Sequence, residues 1–243
     1  MDNSANKKIK LNMLRKTMIK NLTKSINVSA QSTVAIEIEI SNLEHVKKTL
    51  GEKLFLEKKI KLTYLPLFVY LISRALSRHP FLNSKLDSSG NEIIIEKNIN
   101  IGFAVAIERG DLPGILLPVI RNADKKNLAE LITIIKELSN KAIKGNISSE
   151  EMVNGTFSIS SVGQYQVDFI QPLLNYPEGA ILGITRIKRK PVVKENRIQI
   201  VPVSNFCITV DHRIIDGVTT YNFLEDLKRE IEKVQLGDFD LNG

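Results

Sequence analysis

Three histidines are the side chains best suited to moving a proton near neutral pH, and their settings differ. His45 stands beside Lys47 and Lys48 in a stretch that reads as an exposed helix. His79 directly precedes Pro80 at a helix end. Surface or capping roles suit both. His212 follows an apolar run expected to be a buried strand, stands between Asp211 and Arg213, and precedes Asp216-Gly217. Ionic neighbours at a strand end can hold an imidazole in one tautomer and keep it basic, as removing a proton from a thiol or hydroxyl requires. The same setting also suits a structural ion-pair histidine, and these residues alone leave both roles open.

The single cysteine, Cys207, excludes an intramolecular disulfide. Its place in Phe206-Cys207-Ile208 predicts a buried small hydrophobe. It is separated from His212 by an odd number of residues, so on a continuous strand the two would face opposite sides.

The elements that must position these groups can be read from periodicity. Leu11, Leu14, Met18 and Leu22 predict an amphipathic helix over 11–26, and the alternation Thr33 to Ile40 predicts a strand with one wet face. Ser41 is expected to cap a helix beginning at Asn42, with Glu44 in the capping-box position. A more apolar helix over 62–78 should end at His79-Pro80, because the residue before proline disfavours helical geometry. Strands are expected over 92–96, 99–107 and 115–120, then a helix over 128–144 stopped by Gly145. Short strands follow over 156–161, 180–187, 191–193, 198–201 and 206–210, and a helix over 218–234 closes the set. Without regular βαβ alternation this predicts an α+β fold.

The formal net charge is +7, from 34 Lys and Arg against 27 Asp and Glu. The positive charges are scattered. The densest cluster, Arg186-Ile187-Lys188-Arg189-Lys190, lacks aromatic interleaving, so no nucleic-acid partner is expected. A polyphosphate ligand fits the excess with less strain, and a solvated lysine-rich surface accounts for most of it. No run approaches the roughly 18 apolar residues of a membrane helix, and the first residues lack a secretory pattern. No membrane partner and a cytoplasmic location are expected.

The stretch Asp211-His212-Arg213-Ile214-Ile215-Asp216-Gly217 resembles the active-site pattern of the dihydrolipoyl acyltransferase catalytic domains of 2-oxoacid dehydrogenase complexes, a group similar to chloramphenicol acetyltransferase. Gly155-Thr156-Phe157-Ser158-Ile159-Ser160-Ser161-Val162-Gly163 resembles that family's Gly-Thr-Phe-Thr-Ile-Ser-Asn-Leu-Gly stretch. Leu117-Pro118-Val119-Ile120-Arg121-Asn122-Ala123-Asp124 resembles its Val-Pro-Val-Ile-x-x-Ala-Asp. Ala180-Ile181-Leu182-Gly183 and Leu62-Thr63-Tyr64-Leu65-Pro66 are also similar. The matches keep the family's order from about residue 8 to residue 235.

The resemblance implies a chloramphenicol acetyltransferase-like mixed sheet with flanking helices that forms a homotrimer, with active sites between subunits. It implies His212 as the general base that activates a thiol, and Ser160 as the hydroxyl stabilising the tetrahedral oxyanion. Asp216 would hold the site through an ion pair with Arg15. Coenzyme A would be the co-substrate, held by Ser160, Ser161, Gln164, Thr185 and Ile187. A lipoyl group would arrive on a separate domain or protein, and no metal is implied.

Residues 1–10 are expected to be a polar lead-in, 11–235 the acyltransferase domain and 236–243 a short acidic tail, with no lipoyl or peripheral-subunit-binding domain. Ser161 stands where asparagine is commoner, and the loop 108–114 reads as slightly longer than usual. The tail favours a trimer over a large cage. Two other readings stay open: a stand-alone acyltransferase using a carrier-protein phosphopantetheine or a small-molecule acceptor, and a low-activity oligomeric scaffold.

Overall fold

The protein is described here by a computed structural model covering residue 6, residues 8–109 and residues 112–239. The first five residues, residue 7, Gly110 and Asp111 of the 108–114 loop, and the last four residues of the acidic tail lie outside the described residues.

A mixed sheet runs in the order β1 (Gln31–Glu39), β11 (Arg197–Asp211), β9 (Ala180–Ile184), β8 (Phe157–Ser161), β4 (Ile101–Phe103) and β7 (Val119–Ile120). β10 (Lys188–Lys194) pairs the outer half of β11. β8 is parallel to both β4 and β9, while the other pairs are antiparallel. Two hairpins stand apart: β2 (Ser84–Leu86) with β3 (Ile93–Ile95), and β5 (Val105–Arg109) with β6 (Leu112–Leu116). Mixed pairing with segregated helices is the α+β architecture expected.

Alternation along the strands gives the sheet two unlike faces. Phe157, Ile159, Leu182, Ile184, Phe206, Ile208 and Val210 are buried beneath the helices. Phe68 of α3 (Tyr64–Arg78) meets Phe206 edge-on at 5.4 Å, and Phe223 of α5 (Gly217–Lys233) lies 6.3 Å from Phe157. The opposite face carries Ser158, Ser160, Gly183, Cys207 and Thr209. The segment 162–178 crosses it, and Ile170 sits so close that a Cβ on Gly183 would fall 2.5 Å from its Cδ1.

The helices follow their sequence signals closely. α4 (Leu128–Lys144) opens on an Asn127–Glu130 capping box and stops at Gly145, whose φ of 81° suits glycine. α3 ends at His79 before Pro80, as expected. α1 is Met13–Val28, with Asn12 as its N-cap. In α2 (Ser41–Lys58) the expected cap is corrected: Ile40 is the N-cap, and the Ser41 hydroxyl donates to Glu39 at 2.7 Å instead.

Three strand expectations also change. The 99–107 run breaks at Ala104, whose N–H turns to the Ile159 carbonyl at 2.9 Å, so β4 stays in the sheet while β5 leaves it. The 115–120 run breaks around Leu117-Pro118, where the carbonyl of Pro118 accepts from Phe103 at 3.0 Å. The runs 198–201 and 206–210 are one strand, β11. Pro202 does not interrupt it because it falls just beyond the β1 ladder, where its missing N–H strands no partner. Its carbonyl still accepts from Ile40 at 2.9 Å. Hairpin strand β2 carried no recognised sequence signal.

Candidate active site

His212 leaves the sheet at the end of β11. The N–H of Asp211 is held by the Gly179 carbonyl at 2.9 Å, and that of His212 by the Ala30 carbonyl at 2.8 Å. The Asp211 carbonyl accepts from Ile214 and Ile215 at 3.0 Å each, closing the chain into a turn. Gly179 has to be small here, since a Cβ would fall 2.5 Å from the Ser84 carbonyl oxygen. The backbone around His212 is thus tied to Ala30 and Gly179, the residues just before β1 and β9, while the His212 ring is exposed and hydrogen-bonds to no described residue.

Asp216 is the N-cap of α5, its carboxylate accepting the Thr219 N–H at 2.7 Å. That N–H and the Thr219 hydroxyl hold its carboxyl below the ordinary range, with a smaller pull from His212. The ion pair expected with Arg15 is not formed within the chain. Arg15 stands in the first turn of α1, near the β5–β6 hairpin, and donates to the Pro113 carbonyl.

Ser160 lies near the C-terminal end of β8, half-buried, followed by exposed Ser161. The chain then turns: Val162 donates to the Ile184 carbonyl and Tyr165 to the Val162 carbonyl, both at 2.9 Å, leaving Gln164 exposed. Beyond the turn, Asp168 is gripped by Arg186 at 2.7 Å and Lys188 at 3.1 Å, which hold its carboxyl down to about 2. Thr185 is buried, and its hydroxyl accepts the Asn205 N–H at 3.0 Å. Ile187 packs against the core. Of the five positions expected to hold coenzyme A, Ser160, Ser161 and Gln164 therefore reach the surface, while Thr185 is buried and Ile187 packs against the core.

The two expected chemical groups are far apart in one chain. Gly183 is the register partner of Ser160 on one side and of Cys207 on the other, and His212 is five residues beyond Cys207. At about 3.4 Å per residue this puts some 17 Å of strand between the serine and the histidine.

Of the other histidines, His45 lies on the surface as expected, whereas His79, at the α3 cap, turns a half-buried ring to an ion-pair cluster. His45 is exposed, and His79 lies 3.2 Å from Asp226 in a cluster with Arg78 and Glu230. Cys207 is fully buried. One notable group went unnoticed in the sequence. Glu178 is 5 % exposed and accepts from Asn175 at 2.7 Å, while its second oxygen and the buried Ser158 hydroxyl lack geometric partners among the described residues. Burial pushes its carboxyl up to about 7 against the pull of Ser158 and Asn175. An isolated glutamate between Pro177 and Gly179 offers no periodicity that would reveal this.

Among the described residues, no three His, Cys, Asp or Glu side chains gather as a metal site needs, and no helix is long and apolar enough to cross a membrane.

Residues 3–237 match the sequence model of the 2-oxoacid dehydrogenases acyltransferase (catalytic domain) family. The chain is 34 % identical over 227 residues to the dihydrolipoyllysine-residue acetyltransferase component of the pyruvate dehydrogenase complex from Bacillus subtilis, covering 93 % of this chain and 50 % of that protein. The chain thus spans about half the length of the curated relatives it matches. A probable dihydrolipoamide acetyltransferase from Listeria monocytogenes superposes with a TM-score of 0.91 at 30 % identity, covering 98 % of this chain and all of that one. The dihydrolipoamide acetyltransferase of Azotobacter vinelandii gives 0.89 at 29 % identity, covering 94 % and 92 %. That structure belongs to a study of a serine, a histidine and an asparagine in its catalytic mechanism, separated by 52 and then 4 positions. A chloramphenicol acetyltransferase gives 0.55 at 14 % identity over 91 % and 94 %, a likeness of fold.

Proposed function

Because the chain belongs to the 2-oxoacid dehydrogenase acyltransferase catalytic-domain family, we propose that it moves an acyl group between coenzyme A and a dihydrolipoyl thiol at a site shared by two copies of the chain. One observation carries the reading. Ser160, His212 and Asp216 repeat the 52- and 4-residue separations of the serine, histidine and asparagine studied in the Azotobacter enzyme. Here the length of strand that separates the first two is some 17 Å.

The His212 imidazole takes the proton from the attacking thiol, and the thiolate adds to the thioester carbonyl. The carbonyl oxygen becomes an oxyanion, to which the Ser160 hydroxyl of a neighbouring copy donates. Collapse of this intermediate breaks the original carbon–sulfur bond, and the departing thiolate recovers the proton from the imidazolium. The ring of His212, exposed and without a hydrogen bond to any described residue, and its fixed backbone suit a base that must receive a substrate from outside its own chain. Ser161 and Gln164 flank Ser160 where pantetheine amides would need hydrogen-bonding partners.

A serine end and a histidine end on opposite sides of one subunit call for a head-to-tail contact, which forms a ring when its rotation closes. We take that ring to be a homotrimer, with residues 11–235 as its catalytic domain and the cytoplasm as its compartment. The lipoyl group is delivered on a separate domain or protein. The test is a panel of acyl-coenzyme A thioesters offered with free dihydrolipoamide, following release of coenzyme A. Turnover that depends on both the thioester and dihydrolipoamide supports the reading, and none with any thioester refutes it.

A further inference from the structure

We propose that Asp211, paired with Arg213, is the positioning residue that aims His212, a role resting on the acyltransferase reading above. Asp211 is 5 % exposed, yet its carboxylate bonds to Ala30 and Arg213 and not to the imidazole. One oxygen accepts the Ala30 N–H at 3.3 Å and the Arg213 N–H at 3.2 Å, and the guanidinium grips both oxygens, with Nη2 at 2.6 Å. Ala30 in turn accepts the His212 N–H at 2.8 Å. The residues on either side of His212 are therefore locked to each other and to the approach to β1, through contacts made over the backbone of His212 itself.

Asp216, the other carboxylate of this stretch, is occupied in capping α5. A ring with no hydrogen bond of its own to a described residue has its direction set by the backbone from which it springs. That backbone is held by Asp211. The buried carboxylate is tolerable because the guanidinium and two N–H groups satisfy it.

The test compares Asp211→Asn, Arg213→Met, Arg213→Lys and His212→Ala in the assembled protein. Each is assayed for kcat, for KM toward the acyl-coenzyme A thioester and dihydrolipoamide and for Tm, with NMR of imidazole carbons labelled in the chain's three histidines. Misaim of a reacting group by a fraction of an ångström lowers kcat by about tenfold or more while KM stays within about twofold. Arg213→Lys, which keeps the charge but not the fork, recovers part of the loss. The His212 signal shifts or broadens in Asp211→Asn and Arg213→Met, while those of His45 and His79 stay in place. If Asp211→Asn does not fold, the half-exposed Arg213 variants decide the matter. Wild-type kcat in Arg213→Met and in any folded Asp211→Asn, with His212→Ala inactive, overturns the positioning role alone. Full turnover in His212→Ala overturns the base and this proposal with it.

Discussion

Ser160 and His212 occupy opposite ends of one sheet, linked through Gly183, which lies beside Ser160 in β8 and beside Cys207 in β11. Hydrogen-bonded register makes this separation stiff, since closing it would require a slip of five residues along β11. A slip by an odd number also turns every side chain to the other face. On the proposed reading, the chemistry is completed by a second copy.

Replacing His212 by alanine removes the proposed base without disturbing a ring hydrogen bond to any described residue. Turnover should fall by roughly 10²- to 10⁴-fold, with Tm near that of the wild type. Ser160→Ala should lower turnover by roughly 10²-fold or more, as loss of an oxyanion donor does. Steady-state kinetics beside thermal unfolding measures both, and a loss of turnover matched by a loss of fold would count against either role.

Asp216 answers to a different physics. As the N-cap of α5 it holds the Thr219 N–H, and truncation to alanine should cost about 1 kcal/mol of stability. Asparagine caps equally well, so Asp216→Asn should leave stability within a few tenths of a kcal/mol of wild type. Denaturant unfolding of the two variants decides: equal destabilisation would remove the capping role.

Glu178 predicts a pH dependence of stability. Its carboxyl is raised from 4.5 to about 7 in the folded protein, so the folded state binds that proton more tightly than the unfolded chain. Its contribution is complete below pH 4.5 and is lost as pH rises through 7. The loss amounts to roughly 3 kcal/mol across the window. Glu178→Gln keeps an oxygen for Asn175 and cannot ionise, so this part of the pH dependence should vanish. Unfolding at pH 5 and pH 8 checks it, and an unchanged difference between variant and wild type at the two values would contradict it.

Much of this was legible in the residues themselves. α4 was readable because a capping box, a helical apolar stripe and a C′ glycine agree on the same limits. His212 was readable as a candidate because Asp211 and Arg213 flank it after an apolar run. β11 was not readable as one strand, because Pro202 signals an ending unless it is known that the β1 ladder stops one residue away. The split at Ala104 was hidden for a similar reason: its N–H partner, Ile159, lies 55 residues further on. The Arg15–Asp216 pairing came from resemblance, and within this chain each group has a nearer partner. Glu178 left no trace in the sequence because its burial depends on Asn175, Gly155 and Ser158 meeting in space.

The sharing of one site by two copies is tested most directly by mixing the two inactive variants. Ser160→Ala and His212→Ala chains, each intact in the other's position, are unfolded together in equal amounts and refolded into mixed assemblies. In a head-to-tail ring about a quarter of the interfaces then join an intact serine to an intact histidine. The account predicts that the mixture regains about that fraction of wild-type turnover, while each variant refolded alone stays inactive. A mixture no more active than its components, with mixed assembly confirmed by native mass spectrometry, would contradict it.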